Sequence, residues 1–145
     1  MKTLIDYFNE ALSNKSSYNR RPKTKDELRE IIEDRISKEG PNCDLNDIDT
    51  SFIEDMSHLF DSSDFNGDIS EWNVSGVTDM SYMFVHSKFN QPIEDWDVHN
   101  VKNMVGVFKY SDFNQDISDW NINKYCNTKD MFYQCPIKDE YKPEL

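Results

Sequence analysis

From Pro41 onward the apolar and polar positions of the chain recur every 24 residues. The blocks PNCDLNDIDTSFIEDMSHLFDSSD, FNGDISEWNVSGVTDMSYMFVHSK, FNQPIEDWDVHNVKNMVGVFKYSD and FNQDISDWNINKYCNTKDMFYQCP cover 41–64, 65–88, 89–112 and 113–136 without insertion or deletion. Stacked, they give columns of one character: Leu45, Ile69, Ile93 and Ile117; Ile48, Trp72, Trp96 and Trp120; Phe60, Phe84, Phe108 and Phe132. The apolar period changes inside each unit. Trp72 and Val74 alternate with polar residues, which predicts short strands near 46–50, 70–74, 94–98 and 118–122. Val77, Met80, Met83 and Phe84 fall at i, i+3, i+6 and i+7, which predicts short helical stretches near 53–60, 77–84, 101–108 and 125–132. Neither piece can bury its apolar face alone, so stacking is required to build one core. The fold class expected is therefore an α/β repeat, a small solenoid with a short parallel sheet and short helices.

An array of repeats needs a cap over its open core, and residues 24–39 supply a candidate. Thr24 followed by Glu27 forms a capping box, Leu28, Ile31, Ile32 and Ile36 share one face, and Gly40 with Pro41 ends the helix. Residues 3–12 predict a second short helix, with Leu4, Ile5, Phe8 and Leu12 on one side. The polar, basic SNKSSYNRRPK between them predicts a loop. Ile137 takes the next position of the Phe65, Phe89 and Phe113 column, so a partial rung is expected there, and KDEYKPEL is expected to fray. The organisation is a single domain: an N-terminal helical cap over 1–40, repeats over 41–137 and a tail over 138–145.

Two small-residue columns refine the picture. Ser63, Ser87, Ser111 and Cys135 mark a tight inward turn where only a small side chain fits, giving Cys135 a packing role. Asn42, Asn66, Asn90 and Asn114 are expected to bond loop backbone between rungs, since an Asn side chain can serve both N–H and C=O groups. The apolar fraction, 37% over 145 residues, calls for economical burial, and nine Phe, seven Tyr and three Trp provide it.

Charge changes the functional picture. Residues 1–40 sum to +1 and residues 41–145 to -13, within a net -12. Such an array disfavours direct contact with nucleic acid or an anionic membrane, because both need cations. Cys43, Cys126 and Cys135 are odd in number and form no CxxC pair, which excludes a disulfide framework or zinc site of the usual spacing. The opening MKTLIDYFNE lacks a signal-type apolar core, and no run reaches the ~18 apolar residues of a membrane span. A cytoplasmic protein is the expectation.

Candidate chemistry is sparse. His58, His86 and His99 fall in three different columns and so do not converge by stacking. Only four Gly occur, and no phosphate loop is present. DLNDID offers Asp44, Asp47 and Asp49 but lacks the Gly and terminal Glu of a calcium loop. No catalytic residue, metal site or cofactor is expected, and the chain is read as not an enzyme. The acids do form columns: Asp47, Glu71, Asp95 and Asp119, and two residues on Asp49, Asn73, Asp97 and Asn121. With Trp and Val inward, these should face solvent on the sheet side, the binding surface of most solenoids. The expected partner is a basic protein drawn by the field of Asp47, Asp49, Glu71, Asp95, Asp97 and Asp119, with Tyr82 and Tyr110 as aromatic rim contacts. The alternative use of such a surface is a phage-type anti-defence or anti-CRISPR inhibitor, an acidic mimic of nucleic acid.

The strings FNQDISDWNI and NVSGVTDMSYMF closely resemble bacterial BspA-type leucine-rich-repeat proteins and the related mycoplasma lipoprotein repeat. The resemblance covers about 41–137. It implies a leucine-rich-repeat-like fold and protein binding, commonly at a cell surface, so a cell-surface adhesion fragment is a further alternative. The chain departs from that pattern in showing no signal sequence, lipobox or anchor.

Overall fold

The computed structural model describes residues 1–7 and 20–145. Thr3 and Asp6 exchange capping hydrogen bonds around one helical turn at 4–7. The rest of the helix expected over 3–12, and most of the loop after it, lie outside the described residues.

The cap helix α1 runs over Lys25–Glu39. The Thr24 hydroxyl accepts from the Glu27 N–H at 3.2 Å, and the Gly40 N–H closes the C-terminus on the Ile36 carbonyl at 2.8 Å. Gly40 sits at φ +91°, a conformation glycine adopts without strain. Leu28 and Ile32 are buried on the end of the repeat core, with Ile31 and Ile36 packed beside them. Arg35 fastens the far end of α1: its guanidinium donates to the Asp44 carbonyl at 3.0 Å and to the Asp47 carboxylate at 3.0 and 2.9 Å.

The repeats stack in register, but not as strands and helices. Among the described residues there is no parallel sheet; pairing of strand type is limited to isolated bridges joining Asp55, Asp79, Asn103 and Asn127. The α/β solenoid is thereby corrected, and both halves of the unit have a physical reason. In the first half, the N–H groups of Ile48, Trp72, Trp96 and Trp120 turn back on the carbonyls of Leu45, Ile69, Ile93 and Ile117, so the segment is a turn rather than a strand. In the second half, the spacing that suggested a helix belongs to a train of tight turns. Leu59, Asp61 and Ser63 donate to the carbonyls three residues back, at Met56, His58 and Phe60. The intervening N–H groups, on Met56, His58, Phe60 and Ser62, donate at 2.8 to 3.0 Å to Asp79, Ser81, Met83 and Val85 of the next rung. A helix would spend all of these groups on itself; the turn train spends alternate ones on its neighbour.

Left-handed backbone makes this possible. Within the rungs the residues at positive φ form two columns: His58, Tyr82, Gly106 and Asp130, and Ser62, His86, Tyr110 and Gln134, all between 53° and 60°. Only Gly106 is a glycine. An L-residue in this region costs roughly 1–2 kcal/mol, which the hydrogen bonds on either side must offset.

The core is a set of continuous files running through the rungs. Phe60, Phe84, Phe108 and Phe132 stack at 5.5, 5.5 and 5.9 Å between ring centroids, with their planes nearly parallel. Phe65, Phe89 and Phe113 form a second file, and Ile137 is buried in its fourth place as the sequence implied. Ser87 and Ser111 are buried, and Ser63, Ser87 and Ser111 each accept the N–H two residues on through the side-chain oxygen. The Asn column also acts as expected: Asn66, Asn90 and Asn114 accept from the backbone N–H of Asn90, Asn114 and Lys138 at 2.8 to 3.0 Å. Rung four departs once. Tyr125 falls in the slot filled by buried Ile53, Val77 and Val101, yet it is 82% exposed, because a phenol does not fit a slot sized for Val. The tail is held rather than frayed: a 3₁₀ turn at Asp139–Tyr141 brings the Tyr141 carbonyl to the Ile117 N–H at 3.0 Å, and Pro143 is buried.

Candidate protein-interaction surface

Much of the acid in the repeats is used to make turns. Asp49 accepts from the Ser51 N–H at 3.0 Å and from its hydroxyl at 2.6 Å, and Asn73 does the same for Ser75. Asp97 accepts from the His99 N–H at 3.2 Å. Asp68 and Asp116 cap Ser70 and Ser118 in the same way, and Asp55 and Asp79 cap Ser57 and Ser81. These are side-chain mimics of a backbone turn. The Ser51 hydroxyl and amide, with Arg21 nearby, hold the Asp49 carboxyl below the usual range. Asp49 and Asp97 therefore shape the rung as well as charging its surface.

The other acidic column is divided differently. Asp47 is held by Arg35 and lies 3.5 Å from Arg20. Burial opposes the charge on Arg35, but its bonds to Glu39 and Asp47 outweigh that and raise its pKa. Glu71, Asp95 and Asp119 continue the column, exposed, and no ion pair among the described residues reaches them. Tyr82 and Tyr110 stand elsewhere, on the turn train. The Tyr82 ring stacks on His58 at 5.1 Å and covers the backbone of Gly106, where a Cβ would sit 2.5 Å from the ring. Tyr110 stacks on His86 at 4.8 Å and meets Tyr133 edge-on, with the Lys109 ammonium 5.5 and 5.3 Å from the two rings. Eight expected contact residues thus form an acidic column, a pair of turn caps and an aromatic edge, not one site.

One grouping invites a chemical reading. His58 Nδ1 lies 2.8 Å from Asp61 Oδ2, and the Ser62 hydroxyl lies 2.8 Å from Asp61 Oδ1. In a nucleophilic triad the serine bonds the imidazole. Here it donates to the acid, which leaves the hydroxyl without a base. The cysteines are free; burial pushes all three thiols above their ordinary range, and Cys135 donates to the Phe113 carbonyl at 3.2 Å in the small-residue slot. Among the described residues no three His, Cys, Asp or Glu side chains gather to hold a metal ion. The depressions beside α1, of about 570 and 420 Å³, are open. No described helix is long and apolar enough to cross a membrane.

Residues 28–142 match the family described as "Mycoplasma protein of unknown function, DUF285". The chain belongs to that family. The DUF285 match begins within α1 and ends within the tail, so it takes in most of α1, every rung and the closing 3₁₀ turn. It agrees with the mycoplasma repeat part of the resemblance; it does not carry the leucine-rich-repeat part. No curated protein and no solved structure is significantly similar to this chain.

Sequence reasoning missed what the Trp column does in this DUF285 chain. The indole N–H groups of Trp72, Trp96 and Trp120 donate to the carbonyls of Leu45, Ile69 and Ile93 at 2.9 to 3.1 Å, tying each rung to the one before. A buried Trp needs a partner for its N–H, and that requirement was the available signal.

Proposed function

We propose that this chain is a non-enzymatic protein-binding module that takes a basic partner on its acidic column. One observation supports the reading most directly. Arg35 and Arg20 already sit on Asp47, the first member of the column, while Glu71, Asp95 and Asp119 repeat the same position rung by rung with no ion pair to them among the described residues. A partner presenting arginines at matching intervals would continue, between molecules, a contact that the chain makes within itself. Stacked like charges repel, and a basic partner relieves that repulsion. Tyr82 and Tyr110 are held rigidly by their stacking and would add aromatic contacts at low entropic cost.

The test compares proteins captured from native-host extract by the wild-type chain and by the E71Q/D95N/D119N variant. A partner should be lost by the variant, and wild-type capture should weaken steeply as salt shortens the reach of charge to ~8 Å at physiological ionic strength. Added nucleic acid should compete only if the partner is itself a nucleic-acid-binding protein. Capture indifferent to salt and to all three substitutions would leave the column as a solubilising face.

A further inference from the structure

Each rung hands its alternate N–H groups to the next. Met104, Gly106, Phe108 and Tyr110 of the third rung donate to Asn127, Lys129, Met131 and Tyr133 of the fourth at 2.8 to 3.0 Å. The corresponding donors of the fourth rung, Thr128, Asp130, Phe132 and Gln134, have no hydrogen-bond partner among the described residues. The tail crosses the rung elsewhere, bonding Asn114 and Ile117. Phe132 lies within the same row. It ends the buried phenylalanine file, stacked on Phe108 and only partly covered, with the Lys142 ammonium, paired with Asp139 at 2.9 Å, 5.7 Å from the ring and the half-exposed Tyr133 beside it. A row of unspent N–H groups around an apolar ring is a template for added chain, as at an unprotected sheet edge.

What can fill it follows from the direction of the bonds. Two copies meeting through their fourth rungs would set donor against donor. A copy approaching through its first rung would bring the carbonyls of Asp55, Ser57, Leu59 and Asp61, the complementary row. That end is occupied: α1 buries Leu28 and Ile32 there, Lys25 bonds Ser57 and Asp55, and Arg29 reaches the His58 carbonyl at 3.4 Å. A linear segment remains. The segments 55–63, 79–87, 103–111 and 127–135 share Asp or Asn at the first place, Leu, Met or Val at the fifth, Phe at the sixth and Ser or Cys at the ninth. The three existing rung–rung interfaces are made by that pattern.

We propose that the turn train of the fourth rung is a docking edge for a linear segment of the repeat's own kind carried by another chain. The segment would lie as a fifth turn train, with its carbonyls on Thr128, Asp130, Phe132 and Gln134 and its Phe on Phe132. The probe is the nonapeptide DMSYMFVHS, residues 79–87 of this sequence, added to the full chain labelled with ¹⁵N. Binding should saturate, should change little with salt, and should slow amide exchange at those four residues about tenfold or more, as expected for groups moved from water into a ladder. Replacing the peptide's Phe by Asp should weaken binding about tenfold or more, since the central buried ring carries such an interface. Phe132→Ala in the protein should do the same; if that variant fails to fold, the peptide substitution gives the answer alone. No binding at millimolar peptide, equal binding of a scrambled peptide, or protection confined to other residues would overturn the proposal. Because salt and the E71Q/D95N/D119N changes should leave this binding intact, its outcome is separate from that of the acidic column.

Discussion

At the scale of single residues, the same 24-residue position can be a stability determinant in one column and nearly neutral in another. Phe84 is fully buried between Phe60 and Phe108 in a central rung. Phe84→Ala should cost about 3–5 kcal/mol, the loss of transfer energy plus an unfilled cavity. Glu71→Ala should be neutral or slightly stabilising, because it removes one member of a repelling column. Denaturant titration of the two variants checks the ranking, and the reverse order would refute the inward and outward assignment. The columns themselves were legible because burial repeats: Trp, Met and Phe point inward as their spacing implies. The left-handed columns were not. Tyr82 and Tyr110 are bulky types that rarely take positive φ, and nothing in their identity announces it; only Gly106, the histidines at 58 and 86, which belong to a type enriched there, and the recurring Asp or Asn turn caps hinted at tight turns.

At the scale of elements, α1 was legible almost to the residue, since Thr24, Glu27 and Gly40 each act through local backbone chemistry. Thr24→Ala should destabilise by about 1 kcal/mol through the lost cap. Leu28→Ala should cost about 2–5 kcal/mol, because Leu28 seals the open end of the core. Thermal melts distinguish the two, and equal small effects would mean that α1 is not a working cap. The repeat elements were misjudged for a definite reason. Val77, Met80, Met83 and Phe84 keep a spacing near three that suits a helix of 3.6 residues per turn, and it suits a train of turns closed by i→i+3 bonds equally well. Periodicity reports which residues face the core; it does not report where alternate N–H groups go. The Asp79–Ser81 and Asn103–Val105 turn caps, recurring at the start of each train, were the local chemistry that separated the two.

At the scale of the whole molecule, the acids that cap turns make folding sensitive to low pH. Asp49 and Asp68 are held below the ordinary carboxyl range by their hydrogen bonds, from Ser51 in the first case and from Asn46 and then Ser70 in the second. For Asp55 and Asp61 burial opposes ionisation, but bonds from Ser57 and Lys25, and from His58 and Ser62, outweigh it. Groups lowered in the folded state contribute stability that is complete above their unfolded pKa, about 3.9 for Asp, and is lost as pH falls toward the folded value. The melting temperature should therefore change little from neutrality to about pH 5 and drop below about pH 4. A protein equally stable at pH 3 and pH 7 would show that these caps add nothing to folding.

The shared direction of the alternate turn-train bonds has an electrical consequence. Within the turn trains the alternate N–H groups that leave the rung, those of Met56, His58, Phe60 and Ser62 and their counterparts, point toward the C-terminal end of the stack, while bonds at the two ends of each train, such as Asp79 to Glu54 and Lys88 to Ser63, run the other way. Peptide dipoles aligned head to tail sum as they do along a helix, so the turn-train bonds contribute a dipole along the stack, offset in part by the reverse bonds at the ends of each train. Its polarity is opposite to that of a helix of the same chain direction: the negative pole is at the first rung and the positive pole at the fourth. The cations of α1 sit on the negative pole, where Lys25, Arg29 and Arg35 contact Ser57, the His58 carbonyl and Asp44. A sequence strongly acidic in its repeats thus ends, at its fourth rung, in a locally electropositive backbone.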